Sequence, residues 1–251
     1  MRYATSLLSR VLLAGAMLAM ASLSQVRADL VAGWDFQTTT NGGTATAVSP
    51  NTPKEYTANF GSGRLFLNGL NGSSDWFVPA TGTTGTELSA FAGTTANAGP
   101  GFSTVTTGAA ALALVNQHLS PTNGKSAVFR FSMAGFQDLV VSYATQRTNT
   151  GFTSHAWSFG TDGINWTDHQ TLTPPPAPFG VLTLSNIAGL NGATDAYLRL
   201  TVSGASETAS NGNNRFDNIQ FNATAVPEPT SMLLAGSVAL GGVFLRLRRK
   251  R

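Results

Sequence analysis

Short apolar or alternating runs, separated by turn-forming residues, dominate the sequence between positions 29 and 225, where helical periodicity is nearly absent. In Val128-Phe129-Arg130-Phe131-Ser132-Met133 the side chains alternate, which gives a strand one inner and one outer face. The 32 threonines and 27 glycines of the chain favour strands and turns over helices. Strands are predicted at 30–36, 64–67, 76–78, 127–133, 139–145, 155–159, 196–202 and 216–221, and the run at 109–115 fits either a strand or a short helix.

The connecting segments are polar and rich in glycine, as at 81–86 and 97–101, and we expect loops there. Pro174-Pro175-Pro176-Ala177-Pro178 forms a stiff, extended segment without ladder donors, and we expect it to cross between two sheets. The fold predicted for residues 29–225 is therefore all-β, a β-sandwich of jelly-roll type. A β-helix is the alternative, although the sequence has no fixed internal repeat.

Residues 1–28 have the pattern of a secretory signal peptide. Arg2 and Arg10 are followed by an apolar run, and Val26-Arg27-Ala28 places small residues at the −3 and −1 positions of a cleavage site before Asp29. We expect export by the general secretion machinery and cleavage by signal peptidase. The alternative is an uncleaved membrane anchor, for which the apolar run is short.

Residues 226–251 have a different three-part pattern. Val226-Pro227-Glu228-Pro229 precedes an apolar run at 231–245, and six residues, five of them basic, follow that run. As a helix, this run would be about 22 Å long, against roughly 30 Å for the hydrocarbon core of a bilayer. The sequence predicts a short transmembrane helix with its basic end in the cytoplasm, and an ordinary tail anchor is the alternative.

This C-terminal pattern closely resembles the PEP-CTERM sorting signal of Gram-negative bacteria. The resemblance lies in Pro227-Glu228-Pro229, in the glycines Gly236, Gly241 and Gly242 of the apolar run, and in the arginine cluster. It implies processing by an exosortase, a membrane transpeptidase-like protease that removes the tail. It also implies a protein that is anchored transiently in the inner membrane and then reaches the cell envelope, the surface or a biofilm matrix of exopolysaccharide.

Charge and composition exclude several function classes. The basic pI of 9.6 arises from the two ends, because residues 29–225 hold seven Lys/Arg and eleven Asp/Glu, a net charge of −4. This excludes a nucleic-acid-binding patch. The absence of cysteine excludes disulfides, thiol catalysis and thiolate metal sites.

Enzymatic signatures are also missing from the sequence. It has no G-x-S-x-G elbow, and its three histidines, His118, His155 and His169, lack the H-E-x-x-H spacing. We predict a non-enzymatic protein. The alternatives are a secreted hydrolase of matrix polysaccharide, which needs two carboxylates facing a cleft, and homotypic adhesion through a long unprotected edge strand.

Four features resemble galactose-binding-like jelly-roll domains of exported bacterial proteins. They are the opening Trp34-Asp35-Phe36, a long central strand pair, the hairpin from Trp157 to Trp166 with its Asp162-Gly163 turn, and the closing Arg215-Phe216-Asp217-Asn218-Ile219. The hairpin has Phe159-Gly160-Thr161 where the family pattern has Tyr-Ser before the turn.

Carbohydrate binding is the ligand class that the aromatic residues favour, because sugars stack their C–H faces on exposed rings. Trp76 and Trp166 lie near turns and are the predicted ligand-binding residues, with exopolysaccharide as the expected partner. Trp34 and Trp157, flanked by strand residues, are predicted to lie in the core.

A calcium ion is a further candidate ligand. Asp35 lies on the first predicted strand, and Asp217 and Asn218 lie on the last, so the three could meet if those strands are neighbours. The alternative is that these side chains make hydrogen bonds in turns.

Overall fold

A computed structural model describes residues 28–37, 54–78, 86–117, 122–209 and 211–226. Apart from one 3-10 turn at Ala188–Leu190, the regular structure in these ranges is β-strand. In chain order the strands are β1 (Ala28–Trp34), β2 (Glu55–Thr57), β3 (Phe60–Gly61), β4 (Gly63–Phe66), β5 (Leu88–Phe91), β6 (Ala111–Val115), β7 (Ser126–Phe131), β8 (Phe136–Arg147), β9 (Ser154–Gly160), β10 (Thr167–Leu172), β11 (Gly180–Leu184), β12 (Ala196–Ser203) and β13 (Asn213–Ala225).

The strands form two antiparallel sheets. Sheet A has the order β11-β8-β13-β1-β3, and β6 joins it by pairing with β13 and β5. Sheet B has the order β10-β9-β12-β7-β4-β2. The predicted all-β sandwich is thereby confirmed.

The core lies between the sheets and is rich in aromatic rings. Trp34, wholly buried, makes edge-on contacts with Phe129 and Phe221, with ring centroids 5.1 and 5.3 Å apart. Its indole N–H donates to the Tyr56 carbonyl over 3.3 Å. Trp157 is buried as well. The prediction that Trp34 and Trp157 belong to the core is confirmed.

The first and last strands are neighbours, which is the condition under which Asp35 and Asp217-Asn218 are expected to meet. β1 pairs with β13 in a register that sets Trp34 opposite Ile219. The pairing of β13 with β8 on its other side is interrupted by a register shift between Asp217 and Gln220. Asp35 and the bulged Asp217-Asn218 therefore lie at the same place in sheet A.

The structure decides one open assignment and corrects another. Residues 111–115, which fit either a strand or a short helix, form strand β6; it pairs with β5 and β13 and is buried on both faces. Residues 76–78 are not a strand; the Trp76 N–H donates to the Leu67 carbonyl over 3.0 Å, and the preceding Asp75 forms an isolated bridge with Asn68. The proline segment at 174–178 does join the edge strand β10 of sheet B to β11 of sheet A, as predicted.

Several predicted segments lie outside the described residues: the signal peptide up to residue 27, most of the loop at 81–86, His118, and the sorting tail from Pro227 onward. In the part that is described, no helix has the length and apolar character needed to cross a bilayer.

Candidate functional site

The hairpin between β9 and β10 has a turn that hydrogen bonds to the Asp162 side chain hold together. Asp162 Oδ1 accepts hydrogen bonds from the backbone N–H groups of Ile164 and Asn165, both over 2.8 Å, and its Oδ2 accepts one from the Asn165 side chain over 2.7 Å. These bonds, first of all that from Ile164, lower the pKa of the Asp162 carboxyl. Gly163 takes φ +70°, which a residue with a side chain rarely adopts. The predicted Asp162-Gly163 turn is present.

Trp166, the partly exposed residue at the end of this turn, contacts two other elements. The Arg199 guanidinium, from the central strand β12, lies over the indole at 4.5 Å from the ring centroid. Gly72 packs against the ring edge so closely that an added Cβ would be 2.9 Å from Trp166 Cζ2. The indole is therefore held on the outer side of sheet B by a cation on one side and backbone at its edge.

Arg199 has unused hydrogen-bond donors. Its Nε donates to Ser158 Oγ over 3.1 Å, and its terminal N–H groups have no acceptor among the described residues. Burial lowers the pKa of its guanidinium, and the nearby Asp168 charge opposes that effect. Other cations of this sheet differ: Arg130 pairs with Asp195 over 2.6 Å, and Arg64 pairs with Glu55. Arg199 and Trp166 together offer a partly exposed ring beside free charged donors.

Trp76, the second predicted ligand-binding residue, is wholly buried. Its indole N–H donates to the Ser126 carbonyl over 2.9 Å, and the Lys125 ammonium lies 5.7 Å from the ring centroid. The expectation that Trp76 lies at the surface is wrong, because the segment after the 68–75 loop turns the ring inward, where its N–H finds an acceptor. Of the two predicted ligand-binding residues, Trp166 therefore remains the candidate.

The structure brings Asp35 and Asp217 together, and both are wholly buried. Asp35 accepts the backbone N–H groups of Gln37 over 3.0 Å and Ser103 over 2.8 Å. Asp217 accepts those of Thr94 over 2.8 Å and Asn218 over 2.9 Å. Burial, aided by the Asp35 charge and opposed by the two N–H groups, raises the pKa of Asp217 to about 7.

Asn218 ties the 94–97 segment to the same place. Its side-chain amide donates to the carbonyls of Thr94 over 2.7 Å and Ala96 over 2.9 Å, while its buried Oδ1 has no hydrogen bond. An oxygen without a hydrogen-bond donor, close to two carboxylates, is the kind of ligand set that a hard cation prefers. Each carboxylate oxygen of Asp35 and Asp217 already accepts a backbone N–H, however, and the described residues contain no group of three or more His, Asp or Glu placed to hold a metal. Calcium binding stays a prediction.

The same burial bears on the hydrolase alternative. Asp35 and Asp217 are two carboxylates that the fold brings together, and neither is open to solvent. A glycosidase needs its two carboxylates on either side of a substrate-sized cleft. Asp35 and Asp217 do not meet that requirement.

A buried polar network was not anticipated from the sequence. His155, with no exposed surface, is hydrogen-bonded to the Tyr143 hydroxyl at 3.1 Å and to the Asn214 amide at 2.8 Å. Trp157 Nε1 donates to the same hydroxyl over 3.2 Å. Burial lowers the pKa of His155 to about 3 and raises that of Tyr143. The alternation of His155 with Trp157 was the one available signal that this histidine faces the core.

The fold and the site thus define a two-sheet β-domain with a small aromatic and cationic surface site. Residues 225–250 match the PEP-CTERM protein-sorting motif, so the chain carries that motif at its C-terminus. No curated protein sequence matches the chain.

Solved structures similar to this chain include three β-rich modules. The carbohydrate-binding module CBM36 in complex with calcium and xylotriose is 17% identical, with 55% of this chain and 90% of that chain covered and a TM-score of 0.34. TmCBM61 in complex with beta-1,4-galactotriose is 11% identical, covering 61% and 92%, with a TM-score of 0.34. The K2 cleaved adhesin domain of Lys-gingipain is 13% identical, covering 53% and 82%, with a TM-score of 0.36. At these TM-scores, no ligand or activity transfers from them to this chain.

Proposed function

We propose that this protein is an exported, non-enzymatic component of the cell envelope or extracellular matrix that binds carbohydrate through Trp166 and Arg199. The observation that carries the proposal is the partly exposed indole with a guanidinium over it whose terminal N–H groups have no acceptor among the residues that the structure describes. A ring supplies a surface for the C–H face of a sugar, and the guanidinium donates to sugar oxygens.

The proposed site is preorganised. The Asp162 turn fixes the hairpin, Gly72 fixes the ring edge, and Ser158 holds Arg199 Nε. A ligand would therefore order few side chains on binding, which lowers the entropic cost of association.

The sorting motif supports export with a membrane-anchored stage. In our proposal, residues 1–28 are the signal peptide, 29–225 the delivered β-domain, and 226–251 the segment that an exosortase processes. Delivery to an exopolysaccharide matrix would bring the Trp166 site to polysaccharide.

Binding is tested on a glycan array with the full chain purified in mild detergent. We expect at least one glycan to bind, and Trp166→Ala to weaken that binding about tenfold. Val181→Ala, which trims another exposed apolar side chain on edge strand β11, is the matched control and should bind like the unaltered chain. Binding to no glycan, or equal binding by Trp166→Ala, refutes carbohydrate recognition at this site.

Sorting is tested separately by deleting residues 227–251 and measuring surface delivery in the native host. We expect the truncated protein to be exported but lost from the envelope fraction. Unchanged surface delivery would show that the tail is not a sorting signal.

A further inference from the structure

Arg215, on the outer side of sheet A, repeats the arrangement of Arg199. Its guanidinium lies 4.4 Å from the centroid of the Phe91 ring, and both residues are partly exposed. Phe91 is on β5 and Arg215 on β13, with β6 between them. The β6 residues opposite Phe91 and Arg215 are Ala111 and Ala113, whose short side chains leave room for the guanidinium to reach the ring across that strand.

Arg199 and Arg215 are also alike in their electrostatics. The ion pairs among the described residues are Lys54–Asp75, Arg64–Glu55, Lys125–Glu87 and Arg130–Asp195, and they include neither arginine. Burial lowers the pKa of both guanidiniums, because each positive charge is partly removed from water; at Arg199 the nearby Asp168 charge opposes this effect. Both sites therefore hold a cation that an incoming anion would stabilise.

The contact with the ring leaves donors for such an anion. A guanidinium held over a ring by cation–π attraction does not need an acceptor for its N–H groups, so they stay available to a ligand. In Arg215, Nε makes a long hydrogen bond of 3.4 Å to Asn213 Oδ1, and the terminal N–H groups have no acceptor in the described part of the chain. A planar fork of this kind matches a carboxylate with two parallel hydrogen bonds. Gln146, directly opposite Arg215 on β8, adds a partly exposed amide.

We propose that Arg215 and Phe91 form a second carbohydrate site, selective like the Arg199 site for sugars that carry a carboxylate, so that one domain holds two acidic polysaccharide chains. The inference rests on the proposed function of Trp166 and Arg199. The two sites lie on the outer faces of opposite sheets, which are separated by a core about 10 Å thick and face away from each other. A short oligosaccharide cannot reach both, whereas a polymer solution would be cross-linked.

The test is calorimetric titration of the full chain in detergent with trigalacturonate, beside neutral galactotriose. We expect two trigalacturonates to bind per chain. One should bind after Arg215→Met, which keeps an apolar side chain against Phe91 but removes the guanidinium N–H donors. Arg147→Met is the matched control, because Arg147 donates to the carbonyls of Pro174 and Thr148, and it should leave two sites. Arg215→Lys keeps the charge and should weaken the second site about tenfold.

Turbidity of polygalacturonate solutions gives an independent readout. The unaltered chain and Arg147→Met should cross-link the polymer, and Arg199→Met and Arg215→Met should each abolish cross-linking while still binding one oligosaccharide. A single site in the unaltered chain, two sites after Arg215→Met, or equal affinity for galactotriose overturns the inference. Each of those outcomes leaves the proposed carbohydrate binding at Trp166 intact. If neither acidic nor neutral saccharides bind on the array, both the proposed function and the second site are refuted.

Discussion

Replacing the buried His155 by glutamine should change how the stability of the protein depends on pH. The pKa of His155 is lowered to about 3 by burial, from an ordinary value of 6.5. Between these two pH values the unfolded chain binds a proton at this residue and the native chain does not, so native stability falls as the pH falls. From pH 7 to pH 4 the loss works out to about 3 kcal/mol.

Asp217 acts in the opposite direction. Its pKa is raised from 3.8 to about 7, mainly by burial, so between these values the native chain holds a proton that the unfolded chain has lost. Stability then falls as the pH rises, again by about 3 kcal/mol from pH 4 to pH 7. The two contributions nearly cancel in the unaltered protein, and His155→Gln should expose the Asp217 contribution.

The assay is urea unfolding of the full chain in mild detergent, followed by tryptophan fluorescence at pH 4 and pH 7. Subtracting the pH effect in His155→Gln from that in the unaltered chain removes every other titrating group. We expect this difference to be about 3 kcal/mol in favour of pH 7. His169→Gln, which removes a partly exposed histidine on edge strand β10, is the matched control. A difference near zero for His155→Gln would refute the reasoning that this ring is buried in its neutral form.

Three further outcomes follow from the packing. Lys125→Met removes the cation beside the wholly buried Glu87 and should lower the free energy of unfolding by about 3 kcal/mol in urea titrations, whereas Lys54→Met, in an exposed pair, should cost less than about 1 kcal/mol. Trp34→Ala empties the centre of the aromatic core and should cost about 4 kcal/mol in the same assay; a cost below about 1 kcal/mol would contradict its central position. Gly72→Ala, at φ +80°, should separate its loop from Trp166 and reduce glycan binding on the array, and unchanged binding would contradict that contact.

Local pattern was sufficient to predict much of the fold. The alternation in 127–133 and 196–202 predicted β7 and β12, and Asp162-Gly163 predicted the β9–β10 turn, because side-chain period and turn chemistry are properties of neighbouring residues. Short, polar β10 and uniformly buried β6 were harder to predict, because an edge strand need not alternate and a strand covered on both faces gives no periodic signal.

The residues of the candidate site were harder to predict from the sequence, because their exposure depends on the tertiary structure. Trp76 and Trp166 both lie near turns in the sequence, yet the first is wholly buried and the second is partly exposed. What separates them is the partner that each indole meets: the Ser126 carbonyl inside the sandwich for Trp76, and the Arg199 guanidinium on the outside for Trp166.

The sequence by itself determined the all-β class, the sorting motif and the location of the excess positive charge at the two ends of the chain. Each of these follows from composition, spacing or short motifs. Only the tertiary structure decided which arginines form ion pairs, because that depends on strands distant in sequence becoming neighbours. Arg130 forms an ion pair with Asp195 across such a contact, whereas Arg199 and Arg215 lie over aromatic rings, and their terminal N–H groups have no acceptor in the described ranges. Sequence order cannot distinguish these outcomes, because the energy of a charge is set by what surrounds it in space.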